Sequence, residues 1–259
     1  MPSSAHDTPF DTLTQASAVD LCAEQLRGRI LNGALTVGAR LPPERDLAAQ
    51  FGVNRVTVRS ALAQLRSEGL LSVRQGRGYE VQDFQRESGP TLLPSVLSVA
   101  RGRSRTELAG WVTDMLAARR HLARAVLLEI AARRPDVSPV SVALDAFAEA
   151  VQAGNSDPHT LSALDMDVVR ALLDAAGNRV LRLAFNPVLD ALAALPELEQ
   201  QLYAAPETNV VGYGLLRAWL AAPAPSAIEP LLDALAQRDR ANVARLVARP
   251  APLSLEIAP

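Results

Sequence analysis

The stretch Leu41 to Val81, LPPERDLAAQFGVNRVTVRSALAQLRSEGLLSVRQGRGYEV, decides the fold of the N-terminal part of the chain. Pro42 and Pro43 precede a short helical run, Glu44 to Phe51, because proline is tolerated in a helix's first turn, where its missing N–H costs nothing. Gly52 breaks that run. Asn54 is placed to cap a second helix from Arg55 to about Ser67, in which Val58, Ala61, Leu62 and Leu65 recur at helical spacing. Gly69 ends it, and two strand-like runs, Leu70–Val73 and Tyr79–Val81, flank a Gln75-Gly76-Arg77-Gly78 tip. Helix, tight turn, second helix and basic hairpin describe a winged helix-turn-helix.

The charges agree. Between Arg45 and Arg77, arginines 45, 55, 59, 66, 74 and 77 stand against only Asp46 and Glu68, while the whole chain carries a net charge of -2. A basic segment in a near-neutral protein is the footprint of a phosphate-binding surface. Scattered surface arginines would carry the same charge, and it is the helix-turn-helix spacing with its glycine-flanked wing that favours nucleic acid.

Upstream, Val19, Leu21, Cys22, Leu26, Ile30 and Leu31 give a helical face over Ala16–Asn32, with Gly33 suited to a C-terminal cap. This helix is expected to pack behind the helix-turn-helix. Cys22, the one cysteine, reads as a small buried hydrophobe and permits no intrachain disulfide, which suits a reducing cytoplasm. Residues 1 to about 14 lack the basic-then-apolar order of a secretory signal, and no run of about 18 apolar residues suggests a membrane span. All 26 basic residues are arginine.

Downstream, Phe84-Gln85-Arg86-Glu87-Ser88-Gly89-Pro90 interrupts periodicity and reads as a linker. From Leu92 to about Arg249 the sequence is rich in Ala and Leu, with helical periodicity and almost no strand alternation. Pro135, Gly154, Gly177, Pro196, Pro206 and Pro223-Ala224-Pro225 punctuate it into six or more helices. The expectation is a mainly α chain: a winged helix-turn-helix over 15–83, a linker over 84–91 and an all-α bundle over 92–249.

The first domain resembles that of the GntR family of bacterial transcription regulators. The residues that carry the resemblance are Gly38-Ala39-Arg40-Leu41-Pro42, Glu44-Arg45-Asp46-Leu47-Ala48, Gly52-Val53, Arg55, Val58-Arg59, Leu62, Leu65, Gly69-Leu70 and Gly76-Arg77-Gly78. Pro43 stands where the family usually has a small capping residue. The helical remainder resembles the FadR branch more loosely, through Ser88-Gly89 with Leu92-Leu93, Asp114-Met115-Leu116 with Arg119, and Leu164-Asp165, Arg170-Ala171-Leu172 and Ala175-Ala176-Gly177-Asn178. Branches with a mixed α/β effector domain or a fused aminotransferase-like domain do not fit.

The resemblance implies a homodimer on a palindromic operator in double-stranded DNA. It implies that Arg45, Arg55 and Arg59 meet bases or phosphates and that Asn54, Val56 and Thr57 lie where the helix start approaches the groove. Gln75, Gly76 and Arg77 would carry the wing into the minor groove.

Most members of the branch hold a divalent metal with an aspartate and three histidines. Here Asp165 matches the aspartate, but the next position is Val169, and Pro230 and Pro250 stand near the later ligand positions. His6, His121 and His159 have no ligand spacing, so no metal and no cofactor are expected. The missing histidines make the chain resemble the FadR proteins that accept a long-chain acyl-CoA. Arg119, Asp165, Asn178 and Tyr213 are the polar residues expected in a ligand cavity, with Arg119 either meeting the ligand or pairing with an acid such as Asp165. Trp111 and Trp219 read as core or dimer contacts. A small organic or sugar acid is the alternative effector, and an effector-independent DNA binder the third reading. No nucleophile elbow, phosphate loop or dinucleotide fingerprint supports an enzyme.

Overall fold

A computed structural model describes residues 17–74 and 76–248. Residues 1–16 with His6, the wing residue Gln75 and the residues from 249 lie outside the described residues. The chain divides into two compact units, Met1–Gly89 and Pro90–Pro259.

In the first unit, α1 (Ala18–Leu31) starts at a capping box in which Ser17 and Asp20 satisfy each other's backbone N–H groups. Its Cys22, Ala23, Leu26, Ile30 and Leu31 are buried, and it packs on α3 (Arg55–Ser67). Leu21, expected on that face, is 51% exposed, because the buried stripe follows the 22, 26, 30 spacing and leaves 21 to solvent. Helix α2 (Glu44–Phe51) closes on Gly52 in the left-handed region (φ 66°). Val58, Ala61, Leu62 and Leu65 of α3 are fully buried. Strands β1 (Leu71–Arg74) and β2 (Gly78–Val81) pair antiparallel with Leu71 opposite Val81 and Arg74 opposite Gly78, and Arg40 adds a single bridge to Glu80.

The expected linker is partly folded. Asp83 caps a one-turn helix, α4 (Phe84–Glu87), by accepting from the Gln85 N–H at 3.1 Å. This turn lies against Gly69, where an added Cβ would sit 2.3 Å from the Glu87 carbonyl oxygen. The polar composition that reads as a boundary is the composition of a capped turn.

The second unit is all-helical: α5 (Leu93–Arg103), α6 (Arg105–Arg133), α7 (Ser138–Gln152), α8 (Pro158–Ala176), α9 (Arg179–Ala193), α10 (Pro196–Leu202), α11 (Pro206–Ala221) and α12 (Glu229–Ala248), with short 3-10 turns at Pro90–Leu92 and Pro225–Ala227. Pro158, Pro196 and Pro206 sit at helix starts, where a proline removes no intrahelical bond. The 29-residue α6 is the axis, packing against α5, α8, α9 and α12. One core cluster gathers around Leu97, Leu116, Phe147 and Leu198, and a second around Ile130, Val140, Leu144 and Ile228.

Candidate functional site

The first unit presents α3 and the wing. Asn54 accepts from the Thr57 N–H at 2.8 Å, so the helix start is fixed and Val56 projects outward, 71% exposed. An apolar side chain held in water at a helix start suits contact with a thymine methyl. Arg55 is exposed at the first turn and carries no ion pair among the described residues. Arg59, one turn on, lies 2.8 Å from Glu44 of α2. Arg45 is exposed and pairs with its neighbour Asp46 at 3.0 Å. These pairs lie in high dielectric and hold the arginines loosely.

At the wing tip Gly76 (φ 74°) and Gly78 (φ 80°) both take left-handed backbone. The Arg77 N–H donates to the Arg74 carbonyl at 2.9 Å, and the Arg77 side chain is exposed. Behind this surface Arg27 of α1 grips Glu68 with two hydrogen bonds, 2.8 Å from Nε and 2.6 Å from Nη2. That fork pins the end of α3 to α1 and sets the angle at which α3 is displayed. The structure thus brings Asn54, Arg55, Val56, Thr57 and Arg59 onto one helix start, with Arg45 on α2 before it.

The second unit holds a cavity of about 430 Å³ bounded by α6, α8, α9, α11 and α12. Its walls are apolar, with Leu127, Val169, Phe185, Leu189, Leu216 and Leu235 among them. Polar groups gather around Arg119 and Asp165 of its lining. Arg119, 9% exposed, sends Nη2 to Asp239 at 2.7 Å, and Arg120 reaches the other oxygen of the same carboxylate at 2.5 Å. Asp165 accepts from the Tyr203 hydroxyl at 2.6 Å and from the Tyr213 hydroxyl. Tyr213 stands edge-on to Phe147, ring centroids 5.0 Å apart, which fixes the ring that serves the aspartate. Burial first, and then the charge of Asp165, push the Tyr203 hydroxyl far above the usual tyrosine range, so it remains a donor.

Of the expected ligand residues, Arg119, Asp165 and Tyr213 line this cavity. Arg119 does not pair with Asp165, which the two tyrosines occupy; its partner is Asp239, supplied by α12. Asn178 is placed otherwise: it caps α9 through the Val180 and Leu181 N–H groups and donates to Glu129 at 2.9 Å. Trp219 is buried, with its indole N–H on the Ala224 carbonyl at 3.0 Å, and Trp111 packs on the first core cluster. His121 is exposed, and His159 is exposed 3.7 Å from Glu199. The donor set around Asp165 does not fit a divalent cation: both oxygens take hydroxyl protons, and Val169, one turn on, has no ligand atom. Among the described residues no group of three or more His, Cys, Asp or Glu is placed to hold a metal ion.

Sequence reasoning missed Tyr203, Asp239 and Arg238. Arg238 lines the cavity, its Nε is buried without a partner, and it has no ion pair among the described residues. The signal was available: Leu231, Leu235 and Arg238 fall at i, i+4 and i+7, so an arginine interrupts an apolar stripe.

A capped, arginine-bearing second helix with a glycine-tipped wing, followed in the chain by a helical unit with an internal cavity, defines a winged-helix transcription regulator. Residues 20–81 match the profile of the bacterial regulatory proteins of the gntR family. The chain is 31% identical over 192 residues to the HTH-type transcriptional regulator Mce2R of Mycobacterium tuberculosis, covering 70% of this chain and 75% of that one. It is 26% identical over 170 residues to the fatty acid metabolism regulator protein of Serratia proteamaculans, covering 66% and 67%. The solved structure of Lar, which controls the expression of the Listeria monocytogenes agr system, shares the fold, with a TM-score of 0.51 at 15% identity over 90% of this chain and 99% of that one. The chain belongs to the GntR family of transcription regulators and is not an enzyme. No helix among the described residues is long and apolar enough to cross a membrane.

Proposed function

We propose that this regulator is a cytoplasmic homodimer whose binding to a palindromic operator is controlled by a long-chain acyl-CoA or fatty acid, taken up without a metal cofactor. The observation that carries the reading is the cavity of about 430 Å³ inside the helical unit, apolar along its walls, with Arg119, Arg238 and Arg245 among its few polar positions. Its size falls in the range of sites that bury a small ligand, and its walls suit an alkyl chain. The similarity to fatty acid metabolism regulators adds support. A small organic acid is the second reading, favoured by the unpaired Arg238 guanidinium. A sugar acid suits the site less, because its hydroxyls would lie against Leu and Val walls with few partners.

On the DNA side, Arg45, Asn54, Arg55, Val56, Thr57 and Arg59 read the major groove while Gln75, Gly76 and Arg77 enter the minor groove. Ligand and DNA prefer different states of the dimer, so each weakens the other by the same factor. Thermal melting of the full chain with hexadecanoyl-CoA, hexadecanoic acid and a panel of short organic acids tests the effector class. A rise with the long-chain compounds is expected, and a rise with short acids alone overturns the lipid reading.

A further inference from the structure

Arg238 is a cation with no ion-pair partner among the described residues, set in a largely apolar cavity. It sits on the cavity face of α12 with its Nε buried and unpartnered, and no carboxylate lies within ion-pair distance among the described residues. Burial pushes its pKa down; the charge of Asp165 opposes this, Arg119 adds to it, and Asp239 opposes it more weakly. The two carboxylates nearby are already engaged. Asp239 takes Arg119 and Arg120, and Asp165 is held by Tyr203 and Tyr213. The Nε of Arg119, also facing this cluster, is likewise buried and free. Every unsatisfied buried polar atom of the cavity lining is therefore a donor on a guanidinium. A buried guanidinium that no carboxylate touches is costly, and what relieves it must bring negative charge and acceptors together.

We infer that Arg238, with Arg119 beside it, forms an anion subsite that takes the free carboxylate of an apolar-tailed carboxylic acid. The inference rests on the lipid-effector reading above and decides between its two forms. A carboxylate offers two oxygens to the guanidinium fork and supplies the missing charge. The carbonyl of a thioester is neutral and leaves Arg238 uncompensated. Tail and head are then both matched: Phe185, Leu189 and Leu216 along the chain, Arg238 at the acid.

Isothermal titration of the full chain with hexadecanoic acid, hexadecanol and hexadecanoyl-CoA tests this, using the wild type, Arg238→Gln and Arg238→Lys. The acid should bind roughly tenfold or more tightly than the alcohol. Arg238→Gln should abolish that preference while leaving the alcohol's affinity unchanged, and Arg238→Lys, which keeps charge but loses the fork, should fall between. Because Arg238→Gln removes an unpaired charge, the unliganded variant should melt no lower than the wild type. Equal binding of acid and alcohol, unaffected by Arg238→Gln, overturns the subsite and leaves the lipid reading standing. The thioester binding as tightly as the acid with the same dependence on Arg238 assigns the anion to a phosphate and overturns the carboxylate. Failure of all three compounds to bind overturns the lipid reading and the subsite with it.

Discussion

The Arg119 guanidinium of α6 donates to the Asp239 carboxylate of α12 at 2.7 Å, and both side chains are buried. The pair ties the axial helix to the C-terminal helix where the cavity is polar. Arg120 completes the aspartate's second oxygen, so this carboxylate neutralises two cations. Removing it strands both.

Asp239→Ala should therefore cost about 3–5 kcal/mol, because breaking a buried pair leaves an uncompensated charge. Urea unfolding followed by tryptophan fluorescence reads the helical unit alone, since Trp111 and Trp219 are the chain's two tryptophans. A change within about 0.5 kcal/mol would show that the pair contributes nothing net.

Gly69→Ala should destabilise the first unit by more than about 1 kcal/mol. Gly69 has a φ of 78°, and a Cβ there meets the Glu87 carbonyl oxygen at 2.3 Å. Hydrogen exchange should lose protection in α1 and α3 while α6 keeps its own. Unchanged protection in α1 and α3 would mean that α4 can move away without cost.

Acid should weaken the helical unit through Glu129. Its carboxylate accepts from Asn178 and then from Arg133, and both hold its pKa below the ordinary glutamate range. A carboxylate depressed in the folded state contributes stability above its unfolded pKa and loses it as pH falls through the folded value. The urea midpoint should thus drop as pH is lowered below about 4.5. Asn178→Ser, which keeps an oxygen to cap α9 but has no amide N–H to extend to Glu129, should flatten that part of the profile. An identical pH profile in the variant would remove Asn178 as the cause.

Arg59→Ala should weaken operator binding by about 1–3 kcal/mol if Arg59 meets a base edge, or lower the salt slope by about 0.9 if it meets a phosphate. Arg45→Ala should act in the same direction. Glu44, 2.8 Å from Arg59, holds it only loosely and releases it to the DNA. Gel-shift titration at fixed salt, with dimer mass checked in parallel, measures both. Unchanged affinity in both variants would place the DNA elsewhere.

The helix-turn-helix was legible because its signals are local. Asn54 capping α3, Gly52 closing α2 and the buried Val58, Ala61, Leu62 and Leu65 all follow from neighbours within one or two turns. The helical unit's breaks at Gly177, Pro196 and Pro206 were legible for the same reason. The cavity's polar end was not, because its partners meet across long stretches of chain. Arg119 finds Asp239, 120 residues on, and Asp165 finds Tyr203, 38 residues on. A helical pattern shows that Asp165 and Arg119 face inward, but not which inward-facing partner each meets. Asn178 misled for the opposite reason: the glycine-asparagine turn marks a cap, and a capping side chain has little left to offer a ligand.

Ligand control of DNA binding is tested most directly by fluorescence anisotropy of a labelled duplex, selected in vitro with the full chain, titrated with hexadecanoic acid and with hexadecanoyl-CoA. The expected result is release of the duplex by the long-chain ligand, with the duplex weakening ligand binding by the same factor. Anisotropy that stays constant at saturating concentrations of both ligands would contradict the switch.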